Sequence, residues 1–166
     1  GEAYFEVAAQ PDGKKFVVQL KDVNIEVVGT AFNVKDYLDE TATYTTLVEG
    51  KVALTYNQNK EVLLPNQQAI VNPNLNKITL KNVDVNNEIS WKDGVFSFKG
   101  KTLKEIMKVL SRWYDVRIVF DNKDLEKTTF KGVLSKNQPI REILNAIKSA
   151  SVMDTYIIKN KVIYLN

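Results

Sequence analysis

The side chains that do most protein chemistry are scarce in this chain. Its 166 residues include no cysteine and no histidine, which removes thiol and imidazole catalysis, iron–sulfur clusters and ordinary zinc sites. Carboxylates remain, and Asp39-Glu40 and the Asp121/Asp124 pair are candidates for acid–base work. Such work needs two carboxyls converging on a cleft. Both pairs lie in turn or loop sequence, where solvated carboxylates are ordinary. The loop DNKDLEK (Asp121 to Lys127) lacks the residue order of a calcium site, and no GxSxG, P-loop, GxGxxG or HExxH pattern occurs. The chain reads as a non-enzyme with no catalytic residue, no cofactor and no metal.

Binding is the chemistry left, and charge is unevenly available for it. Residues 1–90 carry 8 Lys/Arg against 12 Asp/Glu, whereas residues 91–166 carry 15 against 8. An acidic half followed by a basic half implies two domains meeting near Ser90. A basic module attracts acidic protein surfaces, anionic lipid or nucleic acid. The apolar fraction, 44%, is enough for a core, and no run of 18 apolar residues is present to span a membrane. The opening GEAYFEV already has the alternation of a strand, so the chain reads as a fragment of something longer.

The elements that must position any binding surface follow from periodicity. Residues 1–88 alternate apolar and polar between turn sequences, as at Val23, Ile25 and Val27, and predict an all-β domain. Glycine opens three similar phrases, GEAYFEV, GTAFNV and, inside LVEGKVAL, GKVAL, at Gly1, Gly29 and Gly50. Such recurrence suggests stacked β-coils or a two-sheet roll, a β-helix-like architecture, with an ordinary sandwich as the plainer reading. Residues 89–166 change grammar. TLKEIMKVLSRWY predicts a helix with a Thr102/Glu105 capping box and an apolar stripe of Leu103, Ile106, Met107, Leu110 and Tyr114. NQPIREILNAIKSA predicts a second helix, capped by Ser135 or Asn137. With the strands VFSFKG, VRIVF, TTFKGVL, TYIIKN and KVIYLN the order is β-α-β-β-α-β-β, two helices on one sheet. The fold class is α+β.

Four residues stand out as partner-binding candidates. Trp113 flanks the helix stripe and is either an exposed anchor or a packing residue, with packing favoured. Arg117, Lys159 and Lys161 offer positive charge beside the last hairpin, Thr155 to Leu165, which is the expected sheet edge because terminal strands often lie there. Trp91 falls at the domain junction. A rival reading takes the basic half as a nucleic-acid-binding module, with Phe96 and Phe98 as stacking aromatics, but KGVLSKN (Lys131 to Asn137) has no aromatic after its glycine. A third reading is sugar binding through Tyr37, Tyr44 or Tyr56.

The phrases GEAYFEV, VVGTAFNV, LVEGKVAL, LLPNQQAIV and WKDGVFSFKGKTLKEIMKVLSRWYDVRIVF, in this order, resemble the FecR-like anti-sigma regulators, especially those of Bacteroidetes. The resemblance runs over essentially the whole chain. It implies a FecR-type all-β domain, truncated at its N-terminus, followed by a small domain similar to the secretin/TonB short N-terminal module. It further implies a periplasmic location within a single-pass inner-membrane protein. The implied partners are the N-terminal signalling domain of a TonB-dependent outer-membrane transporter and an extracytoplasmic-function sigma factor, the latter held by a cytoplasmic segment that this chain lacks. Nucleic acid is not an implied partner.

Overall fold

The computed structural model describes residues 1–150 and 152–166. The chain forms two compact units, Gly1–Ile89 and Ser90–Asn166.

The first unit has nine strands in two antiparallel sheets. Strands β1 (Glu2–Val7), β4 (Thr30–Lys35), β5 (Thr43–Glu49), β8 (Gln67–Asn72) and β9 (Lys77–Asn82) form one, in the order β1-β4-β5-β8-β9. Strands β2 (Phe16–Gln19), β3 (Val23–Val27), β6 (Val52–Tyr56) and β7 (Asn59–Leu63) form the other, in chain order. Alternation decides which side chains meet between them. Val23, Ile25, Val27, Leu54 and Leu63 from the smaller sheet share a core with Phe32, Val34, Leu47 and Val71 from the larger. Burying each such side chain is worth about 1.5–3 kcal/mol.

The glycine phrases mark corners rather than coils. The chain leaves the smaller sheet after β3 and enters the larger at β4, with Gly29 between. It makes the reverse crossing from β5 to β6 through Gly50. Gly50 has φ +91°, and a Cβ there would lie 2.6 Å from the Gly29 carbonyl oxygen. Gly29, at φ +143°, is itself pressed on Ala9, whose Cβ would lie 2.7 Å away from an added methyl. The Thr30 hydroxyl donates to the Lys51 carbonyl at 3.0 Å and fastens the two crossings. Gly1 has no such neighbour, so the first phrase belongs to a different situation. Of the two arrangements the repeated phrases suggested, the two-sheet one is present, as a pair of antiparallel sheets with shared corners.

The outer surface of the larger sheet carries a buried polar strip. Asn33 Nδ2 donates to Glu2 Oε1 at 2.9 Å, and Gln68 Nε2 donates to Thr46 Oγ1 at 2.8 Å and to Glu88 Oε2 at 3.1 Å. Glu88 sits on α1 (Val85–Ile89), a helix too short to leave a periodic signal in the sequence. Burial pushes the Glu2 carboxyl above its ordinary range, against the hydrogen bond from Asn33 and the charge of Lys35. Because the folded state favours the protonated acid, ionisation weakens the fold at pH values above this window. The penalty disappears as pH falls through the raised value toward the ordinary one. Glu2→Gln keeps an oxygen for Asn33 and removes the charge. It is expected to raise the melting temperature at about pH 7, and the gap from wild type should close near pH 3. Thermal unfolding at the two pH values checks this; a destabilised variant at neutral pH would contradict it.

The second unit contains β10 (Val95–Thr102), α2 (Leu103–Tyr114), β11 (Arg117–Phe120), β12 (Thr129–Ser135), α3 (Ile140–Ser149), β13 (Tyr156–Lys159) and β14 (Val162–Leu165). Its strands make two sheets rather than the expected one: β10 pairs with β12, and the other three order as β11-β14-β13. A bulge at Gly100 shifts the β10–β12 register, and among the described residues β12 pairs with β10 alone.

The predicted capping box is formed at the start of α2. The Glu105 amide donates to Thr102 Oγ1 at 3.3 Å, and the Thr102 amide donates to Glu105 Oε2 at 2.8 Å. Thr102→Ala is expected to cost about 1 kcal/mol, readable by urea denaturation; an unchanged midpoint would show the box to be idle. The expected cap of α3 is absent. Pro139 occupies the N-cap with no side-chain bond, while Ser135 Oγ instead accepts from the Asn137 amide within the preceding turn.

Candidate functional site

In the three-stranded sheet of the second unit, period-two alternation separates two faces. Ile163 and Leu165 of β14 are fully buried, and Ile118, Phe120, Tyr156 and Ile158 pack against the same core. Both helices supply that core, through Leu103, Ile106, Met107 and Leu110 of α2 and Ile143, Leu144 and Ile147 of α3. The opposite face carries neither helix. Register places Arg117, Val162 and Lys159 in one row across it, and Val119, Tyr164 and Ile157 in the next. Arg117 and Lys159 are exposed, and Ile157 is 52% exposed. The result is a small apolar patch bordered by cations.

Three of the four sequence candidates are thereby gathered at one end of one sheet. Lys161 lies in the two-residue turn between β13 and β14, where Asn160 and Lys161 both have positive φ, 47° and 63°, as a mirror-type hairpin turn requires. The Lys161 carbonyl accepts from the Arg117 amide at 2.8 Å. Its ammonium meets the Asp115 carboxylate at 2.6 Å and lowers that carboxyl's pKa through the hydrogen bond and the charge. Both partners are exposed, so the pair adds little stability. Trp113 stands apart. Its ring lies 3.6 Å from that of Phe96, centre to centre, with Lys136 Nζ 4.7 Å above it. It is half-buried and acts as packing for the β10–β12 sheet.

The last hairpin reaches a sheet edge as expected, but through β13 and not through the terminal strand. The last strand, β14, is central, pairing in parallel with β11 and antiparallel with β13. The edges are β11 and β13. A cleft of about 380 Å³ runs beside β11; its walls come from Lys104, Lys108 and Ser111 of α2 and from Lys123 and Glu126 of the following 3-10 turn. Glu126 accepts from Lys104 at 2.6 Å and from Lys123 at 3.2 Å. These bonds hold its carboxyl below the usual range. The i, i+4, i+7 spacing of Lys104, Lys108 and Ser111 was visible in the sequence as the polar flank of α2. What joined it to β11 was not.

The aromatics of the other readings are placed differently. Phe98 is buried in the core, and Phe96 stacks on it with centroids 5.6 Å apart, leaving Tyr164 as the aromatic of the helix-free face. Tyr56 is interior, at 5% exposure, and Lys35 Nζ lies 5.0 Å from the centre of the Tyr44 ring. Glu40 is paired with Lys35 at 3.0 Å, and Asp121 and Asp124 are exposed. Among the described residues no three His, Cys, Asp or Glu side chains gather to hold a metal, and no helix is long and apolar enough to cross a membrane.

Comparison with known proteins agrees with this architecture. The family model described as FecR, C-terminal matches residues 95–165, and that of FecR protein matches residues 1–53. Among curated proteins no relative matches the chain. Two crystal structures of a protein from Parabacteroides distasonis ATCC 8503, described as an anti-sigma factor, are similar to it. One, at 1.65 Å resolution, superposes with a TM-score of 0.84 at 30% identity, over 100% of this chain and 77% of that one. The other, at 2.50 Å, gives 0.82 at 30% identity, over 99% and 76%. A similarity of that extent, joined to both family matches, places this chain in the FecR-like family of anti-sigma factors, regulators that act by binding rather than by catalysis.

Proposed function

We propose that this chain is the periplasmic relay portion of a transmembrane anti-sigma regulator. In this reading it receives a signal from the N-terminal domain of a TonB-dependent outer-membrane transporter. A cytoplasmic segment of the parent protein then controls an extracytoplasmic-function sigma factor. The boundary between the two domains falls at about residue 88, with the FecR-type β-domain before it and the receiving domain after it.

The observation that supports this most directly is the three-stranded sheet. A small domain that buries one sheet face under two helices ordinarily gains little by leaving the other face lined with Arg117, Lys159, Val119 and Ile157. Such a surface suits a partner that contributes its own strand or apolar patch, with the cations speeding encounter. Trp113 is not part of the proposed surface.

The test uses the chain as it is, titrated calorimetrically with the N-terminal domain of a TonB-dependent outer-membrane transporter from the same organism. Saturable one-to-one binding without chemical turnover is the expected result. Absence of binding to that domain, with RNA bound instead and lost steeply as salt rises, would overturn the reading.

A further inference from the structure

The family match and the helix-free face leave open where on this unit a partner is gripped. Three features compete: the β13 edge, the β10–β12 ribbon and the cleft beside β11. The β13 edge is exposed at Ile157, yet Tyr156 is tied back to α3 through its hydroxyl, which donates to Asn145 Oδ1 at 2.8 Å. The ribbon places Lys99 directly opposite Lys131, a like-charge pair that costs stability. The β11 edge combines a strand unpaired on one side, a cleft and charge.

The backbone geometry there is specific. In the parallel ladder with β14, the amides of Arg117 and Asp121 donate to Lys161 and Leu165. Alternation then turns the N–H and C=O groups of Ile118 and Phe120 away from β14, toward the cleft. Four β11 residues at about 3.3 Å each give an edge roughly 13 Å long, enough for a short added strand. Side chains of such a strand that point to the helix side would meet Lys104 and Lys108; those pointing the other way would meet Arg117. Glu126 is already held by Lys104 and Lys123, so the cleft's balance is cationic.

We propose that the cleft between α2 and β11 receives an extended, acidic segment of a protein partner, which adds to the sheet as a fourth strand on β11. The inference rests on the relay reading above and assigns its contact surface. Backbone pairing at Ile118 and Phe120 supplies the grip, and acidic side chains supply selectivity for a segment of that charge.

The experiment measures amide hydrogen exchange of the chain alone and with the transporter's N-terminal domain, beside calorimetry on two double variants. Binding is expected to slow exchange at Ile118 and Phe120. Lys108→Glu with Arg117→Glu should weaken binding about tenfold or more at low salt, less at high salt. Lys99→Glu with Lys131→Glu changes net charge equally on the ribbon and should leave affinity within about twofold. Circular dichroism confirms that both variants fold; should the cleft variant not fold, the exchange pattern of the unaltered chain decides alone. Binding with protection at Tyr156 and Ile158 instead, or an equal loss in both double variants, overturns the cleft assignment and leaves the relay reading standing. No binding by the unaltered chain removes the relay reading, and the cleft assignment with it.

Discussion

Gly50→Ala is expected to destabilise the β unit by about 3 kcal/mol or more. Two independent costs combine. The backbone at φ +91° is one that side chains with a Cβ rarely adopt. In addition the new methyl would stand 2.6 Å from the Gly29 carbonyl oxygen and 2.9 Å from Thr30 Oγ1. Neither neighbour can retreat easily, since Gly29 abuts Ala9 and Thr30 is bonded to Lys51. Gly13 provides the comparison. It also has positive φ, +66°, but nothing lies within 4 Å of its Cβ direction. Gly13→Ala should therefore cost only about 1–2 kcal/mol, the conformational part. Urea denaturation of the two variants separates the contributions. Equal losses would mean that the corner contact is immaterial.

Leu110→Ala is expected to remove about 2–5 kcal/mol from the second unit. Leu110 is 0% exposed, and it lies in the core shared by α2, α3 and the concealed face of the three-stranded sheet. The range reflects how far the surrounding Leu103, Ile143 and Leu144 can collapse into the vacated space. Val133, 69% exposed on β12, is the control, and Val133→Ala should change stability by less than about 0.5 kcal/mol. Amide exchange localises the loss: protection should fall across α2, α3 and β14. Similar losses at positions 110 and 133 would refute the packing described here. The functional consequence runs through the same contacts, because α2 both backs the sheet and forms one wall of the cleft.

Much of this architecture could be read from local pattern. Val23, Ile25 and Val27 announced an inward face, and all three are buried. The stripe Leu103, Ile106, Met107 and Leu110 and the Thr102/Glu105 box announced α2. What escaped was non-local. A glycine-led phrase shows that a bend is needed, not that two bends touch, so the contact of Gly29 with Gly50 had no signature. Five residues of α1 are too few for periodicity to register. The position of β14 between β11 and β13 depends on parallel pairing across more than forty residues, which no window of sequence contains. The candidates split for the same reason. Arg117, Lys159 and Lys161 converge because strand register carries them together, while Trp113, chosen for its residue type, turns inward onto Phe96.

The central place of β14 also orders events during synthesis. Strands β11 and β13 are joined into one sheet by it, and it follows both along the chain. A nascent chain ending before Val162 would hold these two strands without their shared neighbour, and two helices whose core lacks Ile163 and Leu165. Such late, long-range closure slows folding and exposes apolar surface meanwhile. The three-stranded sheet is therefore closed last, when β14 enters between two strands made before it.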